Sequence, residues 1–162
     1  MTIGRFLGGI AALIWNPETG QYLLLQRAGS KDFAANSWEC VTGRVDQGES
    51  FGAALMREVQ EELQVEAQFE FFIGATHFYR GAPQPENELL GVVCGCTLHQ
   101  PEQIRISAEH STYRWLTAVE IAHFLPPTHW LLPVIQRAEF LRTHLSPTVR
   151  THLQKTGLDL FT

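Results

Sequence analysis

The chain has 162 residues, 44% of them hydrophobic, and a formal net charge of −5, which suits one well-buried core and is short for two domains. Its 12 basic residues, ten of them Arg, are scattered rather than striped, which argues against nonspecific nucleic-acid or membrane-surface binding. Three cysteines without a C-x-x-C spacing argue against a disulfide framework or a structural zinc site and favour a reducing, cytoplasmic setting.

The first apolar run, FLGGIAALIW, lacks the strongly basic start and the cleavage site of a signal peptide and reads as a strand over 5–15. The turn NPETG joins it as a hairpin to a second strand at 21–28. A short strand at 38–42, SWECV, leads into a polar turn bracketed by Gly43 and Gly48. A helix is predicted over 50–63, where Phe51, Leu55, Val59 and Leu63 recur every four residues. Strands follow at 68–79, 88–98, 102–107 and 112–116, and helices at 118–124 and 133–145. Cys94 and Cys96 fall on one face of their strand, Pro133 suits a first helical turn, and Val134, Ile135, Ala138, Leu141 and Leu145 form a buried stripe. Hairpin-connected strands with few helices indicate an α+β layered fold. Residues 1–145 read as a single domain and 146–162 as a tail with no readable function. No stretch is long enough to span a bilayer.

The 50–63 helix carries the most informative residues. At about 100° per residue, Glu62 falls among the apolar side chains, Glu58 on their edge and Glu61 a little further round. Like charges one turn apart oppose helix formation, and carboxylates turned toward an apolar face are poorly hydrated. A divalent cation would remove both penalties. The alternative is a solvated acidic face, since E-x-x-E-E is common in helices. The glycine-bracketed loop before the helix can offer carbonyls to a metal and N–H groups to a phosphate.

The segment GRVDQGESFGAALMREVQEELQV resembles the signature of the Nudix hydrolases through Gly43, Glu49, Arg57, Glu58, Val59, Glu61, Glu62 and Val65. Gln64 stands where the family usually has Gly, a change expected to alter the helix's C-terminal cap more than a metal site. Thr42 stands where many members have a second Gly. The resemblance implies a mixed β-sheet sandwiched between helices. It also implies hydrolysis of a phosphoanhydride assisted by Mg²⁺ or Mn²⁺, which oxygen ligands suit and which an acidic protein handling phosphates would need. Glu58 and Glu62 become the principal metal ligands, Glu61 a third with a catalytic share, and the Gly43 carbonyl a fourth, with Glu49 assisting through water or a second metal. Arg57 would orient these carboxylates rather than touch substrate. Glu109, in the segment SAEHSTYRWL, is the candidate base, with an ordinary exposed loop acid as the alternative. His110, one of seven His with no metal-spaced pair, reads as a surface or packing residue rather than a catalytic one. The phrases WECVTG and EHSTYRWL also look like the dihydroneopterin triphosphate and dATP pyrophosphohydrolase branch.

For substrate, Arg27, Lys31, Arg44 and Arg80 are candidate phosphate contacts, Arg44 foremost because it follows Gly43. Phe33, Trp38, Phe78 and Tyr79 are candidates to stack on a base or pterin, with packing as the alternative. The leading reading is a pyrophosphohydrolase of a nucleoside triphosphate or related nucleotide-like compound, acting as monomer or homodimer without nucleic acid or membrane. The alternatives are an ADP-ribose or nucleotide-sugar diphosphatase and a ligand-binding regulator without catalysis. The intact charged set disfavours the last.

Overall fold

A computed structural model of the protein describes residues 5–30 and 34–161. Lys31 and Phe33 therefore lie outside the described residues. Strand β1 (Leu7–Asn16) is the hub of the sheet. It pairs antiparallel with β4 (Val41–Arg44), placing Ile10 opposite Gly43, and parallel with β6 (Glu88–Leu98), placing Ile10 opposite Val92. Its far end turns to β2 (Gln21–Arg27) through Trp15 and Tyr22. β5 (Ala67–Tyr79) borders β6, while β3 (Trp38–Glu39) and β7 (His110–Leu116) border β2.

Alternation along β1 builds two cores. Ile10, Ala12 and Ile14 face helix α1 (Phe51–Leu63), and Ala11 and Leu13 face α2 (Ala118–Phe124) and α3 (Leu131–His144). The sheet is thus sandwiched between helices, as expected. Leu55, Val59 and Leu63 are fully buried, each contributing about 1.5–3 kcal/mol, and Cys94 and Cys96 join the same core. Phe51, placed on that stripe by sequence, is instead 38% exposed at the helix start.

Two segments differ from the sequence reading. No strand forms over 102–107; a 3-10 turn, Pro101–Gln103, is followed by a linker whose N–H groups go to the end of α1, Arg105 to the Leu63 carbonyl at 2.9 Å and Ser107 to that of Glu62 at 2.9 Å. Its donors satisfy helix carbonyls that would otherwise be orphaned, so they do not enter the sheet. Helix α4 (Pro147–Thr156), absent from the sequence reading, packs on β5. Gln154 Nε2 donates at 2.9 Å to each oxygen of the buried Glu70 carboxylate, which Thr97 Oγ1 also supplies at 3.0 Å. Beyond α4, Asp159 Oδ2 accepts from Ser50 Oγ and the Gly52 N–H at the start of α1. No helix among the described residues is long and apolar enough to cross a membrane.

Candidate active site

Helix α1 begins with Ser50 accepting from the Ala53 N–H and ends at Gln64, which adopts a left-handed conformation with φ 58°. The missing family glycine thus bears on the cap, a position that favours glycine. Between these ends the helix presents its acidic residues to β4. Glu62 is 5% exposed, the Glu58 side chain is 14% exposed and that of Glu61 is 59% exposed, following the helical angles of the sequence.

Gly43 accounts for how Glu58 reaches the strand. A Cβ built on Gly43 would lie 1.9 Å from Glu58 Cδ, so only glycine leaves that space. Arg57 gathers the remaining carboxylates. Its Nε and Nη2 bond Glu49 at 2.8 and 2.9 Å, its Nη1 bonds Glu58 at 2.8 Å and Glu61 at 3.2 Å, and its Nη2 also reaches the Arg44 carbonyl at 2.8 Å. These charge-assisted bonds raise the arginine's pKa and, with the Asp46 N–H, hold the Glu49 carboxyl well below its usual range.

Glu62 is held the other way. Burial, then the charges of Glu39, Glu58 and Glu109, push its pKa up to about 9, and the nearby Thr42 backbone offsets this only in part. Its Oε2 is buried without a hydrogen-bond partner. Glu58 is also shifted upward, chiefly by burial. Among the described residues, no three Asp, Glu, His or Cys side chains close around one point, and Arg57 bonds Glu49, Glu58 and Glu61. The donor chemistry nevertheless fits a hard divalent cation: all candidate ligands are oxygens, Glu62 has an unsatisfied oxygen, and Gly43 leaves Glu58 its place.

Two residues overlooked in the site by sequence stand behind Glu62. Glu39, on β3, is buried and accepts from Arg27 Nη1 at 2.8 and 3.1 Å, Thr42 Oγ1 at 3.1 Å and His110 Nε2 at 3.1 Å. His110 is buried too, and its Nε2 lies 3.8 Å from Glu62 Oε2. The legible signal was a glutamate within an otherwise apolar strand phrase, since a buried charge needs partners.

Arg27 is therefore engaged with Glu39, and the Arg44 backbone with Arg57. Arg80 has its pKa lowered by burial and by the neighbouring Arg44 and Arg27 charges, so the three cations share one region. Glu109 is exposed at the turn into β7, where its carbonyl accepts the Ala28 N–H at 2.8 Å, and its charge is felt at Glu62. Phe78 lies opposite Leu89 near the end of β5 and is 41% exposed, and no hydrogen bond or ring contact among the described residues joins it to the carboxylates. Trp38 packs edge-on against Phe124 at 5.1 Å with Arg114 over its ring at 5.6 Å, a packing role.

Residues 6–137 match the NUDIX domain family. The dihydroneopterin triphosphate diphosphatase of Escherichia coli (strain K12) is 32% identical over 123 residues, covering 67% of this chain and 77% of that protein. Among solved structures, the E. coli dihydroneopterin triphosphate pyrophosphohydrolase superposes with a TM-score of 0.62 at 26% identity, covering 87% of this chain and 99% of that one. The MutT protein from Methanosarcina mazei Go1 gives a TM-score of 0.70 at 23% identity over 88% of this chain and 99% of its own, a likeness of fold. With the glutamate helix, its glycine-bracketed loop and these relatives agreeing, the chain belongs to the Nudix family and is a hydrolase of acid anhydrides in phosphorus-containing compounds, like its dihydroneopterin triphosphate relatives.

Proposed function

We propose that the protein is a Mg²⁺- or Mn²⁺-dependent pyrophosphohydrolase that cleaves a triphosphate-bearing nucleotide or pterin. The observation that carries this reading is Glu62, buried with one unsatisfied oxygen beside Glu58, the carboxylate whose approach to β4 Gly43 permits. Glu58, Glu61, Glu62 and the Gly43 carbonyl would hold the cation, with Glu49 assisting. When bound, it supplies charge neutralisation on the phosphate oxygens and a more acidic attacking water.

The chain's own groups do the rest. Arg57 orients Glu49, Glu58 and Glu61, so its positive charge is spent on carboxylates. Glu109 accepts the proton of the attacking water; it is exposed at the turn into β7, close enough that its charge acts on Glu62. Arg44 and Arg27 form the cationic side of the site that would face the phosphates, and Phe78 offers an exposed ring to a base or pterin. Cys40, Cys94 and Cys96 are free and buried, in keeping with a reducing, cytoplasmic setting.

The test is chromatographic measurement of products, pyrophosphate with the monophosphate from dATP or a pterin triphosphate and two monophosphates from ADP-ribose or a nucleotide sugar, each with Mg²⁺ and with excess chelator. The triphosphates should turn over faster, and only with metal. Undiminished turnover in chelator would overturn the metal requirement, and preference for ADP-ribose or the sugar would overturn the substrate class.

A further inference from the structure

Helix α1 and its loop do not by themselves fix the Glu62 side chain, because one of its oxygens has no hydrogen bond. The group that faces that oxygen comes from β7, 48 residues further along: His110 Nε2, at 3.8 Å. The same nitrogen lies 3.1 Å from Glu39 Oε1, and His110 Nδ1 is buried with no partner. With carboxylates on one side and nothing on the other, the imidazole proton belongs on Nε2. Glu39 is itself immobilised by Arg27 and by the Thr42 hydroxyl. Thr42 occupies the position next to Gly43, so a side chain there serves to fasten Glu39 from within the loop strand.

We propose that His110, clamped by Glu39 with Thr42 and Arg27 behind it, is a positioning residue that sets the orientation of Glu62 toward the divalent cation. This rests on the metal reading above. The ring, its N–H held by Glu39, stands 3.8 Å from the inner oxygen of Glu62 and confines it by packing and electrostatic attraction without a hydrogen bond, so Glu62 enters metal binding in one orientation rather than many. Neither His110 nor Glu39 touches substrate in this role.

The experiment is Mn²⁺ titration calorimetry on the purified full chain, with thermal melts to establish folding and kcat and KM measured separately. His110→Leu should weaken Mn²⁺ binding by about 10–100-fold and lower kcat, leaving KM unchanged. His110→Gln, which can place an N–H near the Nε2 position, should recover most of the affinity. Thr42→Val, which removes one donor to Glu39 and leaves His110 intact, should also weaken Mn²⁺ binding, and it decides the matter if His110→Leu does not fold. Native Mn²⁺ affinity in a folded His110→Leu, or in Thr42→Val should His110→Leu fail to fold, would overturn the inference. So would a folded His110→Gln no better than His110→Leu. A native protein that binds no Mn²⁺ would overturn the metal reading and this inference with it, whereas native binding that these variants leave unchanged overturns only the inference.

Discussion

Asp159 accepts two hydrogen bonds from the first turn of α1, from Ser50 Oγ at 2.7 Å and from the Gly52 N–H at 2.8 Å. A carboxylate at a helix N-terminus satisfies an otherwise orphaned donor and opposes the positive end of the helix dipole. Asp159→Ala should therefore lower unfolding free energy by about 1–2 kcal/mol, and Asp159→Asn by less, because an amide oxygen still accepts. Urea denaturation followed by circular dichroism measures both. A neutral Asp159→Ala would mean that the contact is not made in solution.

The other end of the same helix should respond in the opposite sense. Gln64 adopts φ 58°, a conformation that costs an L side chain about 1–2 kcal/mol relative to glycine. Gln64→Gly should raise the melting temperature and leave turnover and Mn²⁺ affinity unchanged. A lower melting temperature would show that the Gln64 side chain contributes more than its backbone costs.

Metal-free stability should fall as pH rises. The Glu62 carboxyl titrates near 9 in the folded protein and near about 4.3 when unfolded, so the fold favours its neutral form. The unfolded chain gives up this proton first, and stability is lost progressively between about pH 4.5 and pH 9, by up to about 1.4 kcal/mol per pH unit. Glu49, whose pKa is lowered, acts in the opposite direction but only in acid, below the window of Glu62. Melts in EDTA at pH 6 and pH 8.5 should thus show a clear drop that Glu62→Gln flattens. Identical pH profiles for the two proteins would remove Glu62 as its origin.

Glu109 can be separated from the proposed metal ligands by one substitution. Glu109→Gln should reduce kcat by about 10²–10⁴-fold with Mn²⁺ binding retained. Loss of Mn²⁺ binding would make it a ligand, and an unchanged kcat would return it to an ordinary exposed acid.

What the sequence disclosed was whatever local spacing encodes. The angles of Glu58, Glu61 and Glu62 around the helix anticipated their graded burial, and the apolar run through Ile10 to Ile14 was legible as a strand, though an all-apolar run did not show that its two faces serve two cores. Partners far apart along the chain stayed hidden. His110 meets Glu39 across 71 residues and Gln154 meets Glu70 across 84, and neither pair leaves a periodic trace. The α4 stretch has few apolar residues and no fully buried one, so periodicity had little to register. Ile104 and Ile106 alternate as in a strand and do reach the core, but the N–H groups of Arg105 and Ser107 were already committed to α1.

That commitment has a mechanical consequence. The linker fastened to the Leu63 and Glu62 carbonyls runs directly into Glu109 and His110, so the candidate base hangs from the same helix that carries the carboxylates. If the sheet breathes, Glu109 and the helix carboxylates travel together as one body and their spacing survives. In native-state hydrogen exchange, the Arg105 and Ser107 amides should accordingly share the protection of the last turn of α1, although they lie outside any regular element.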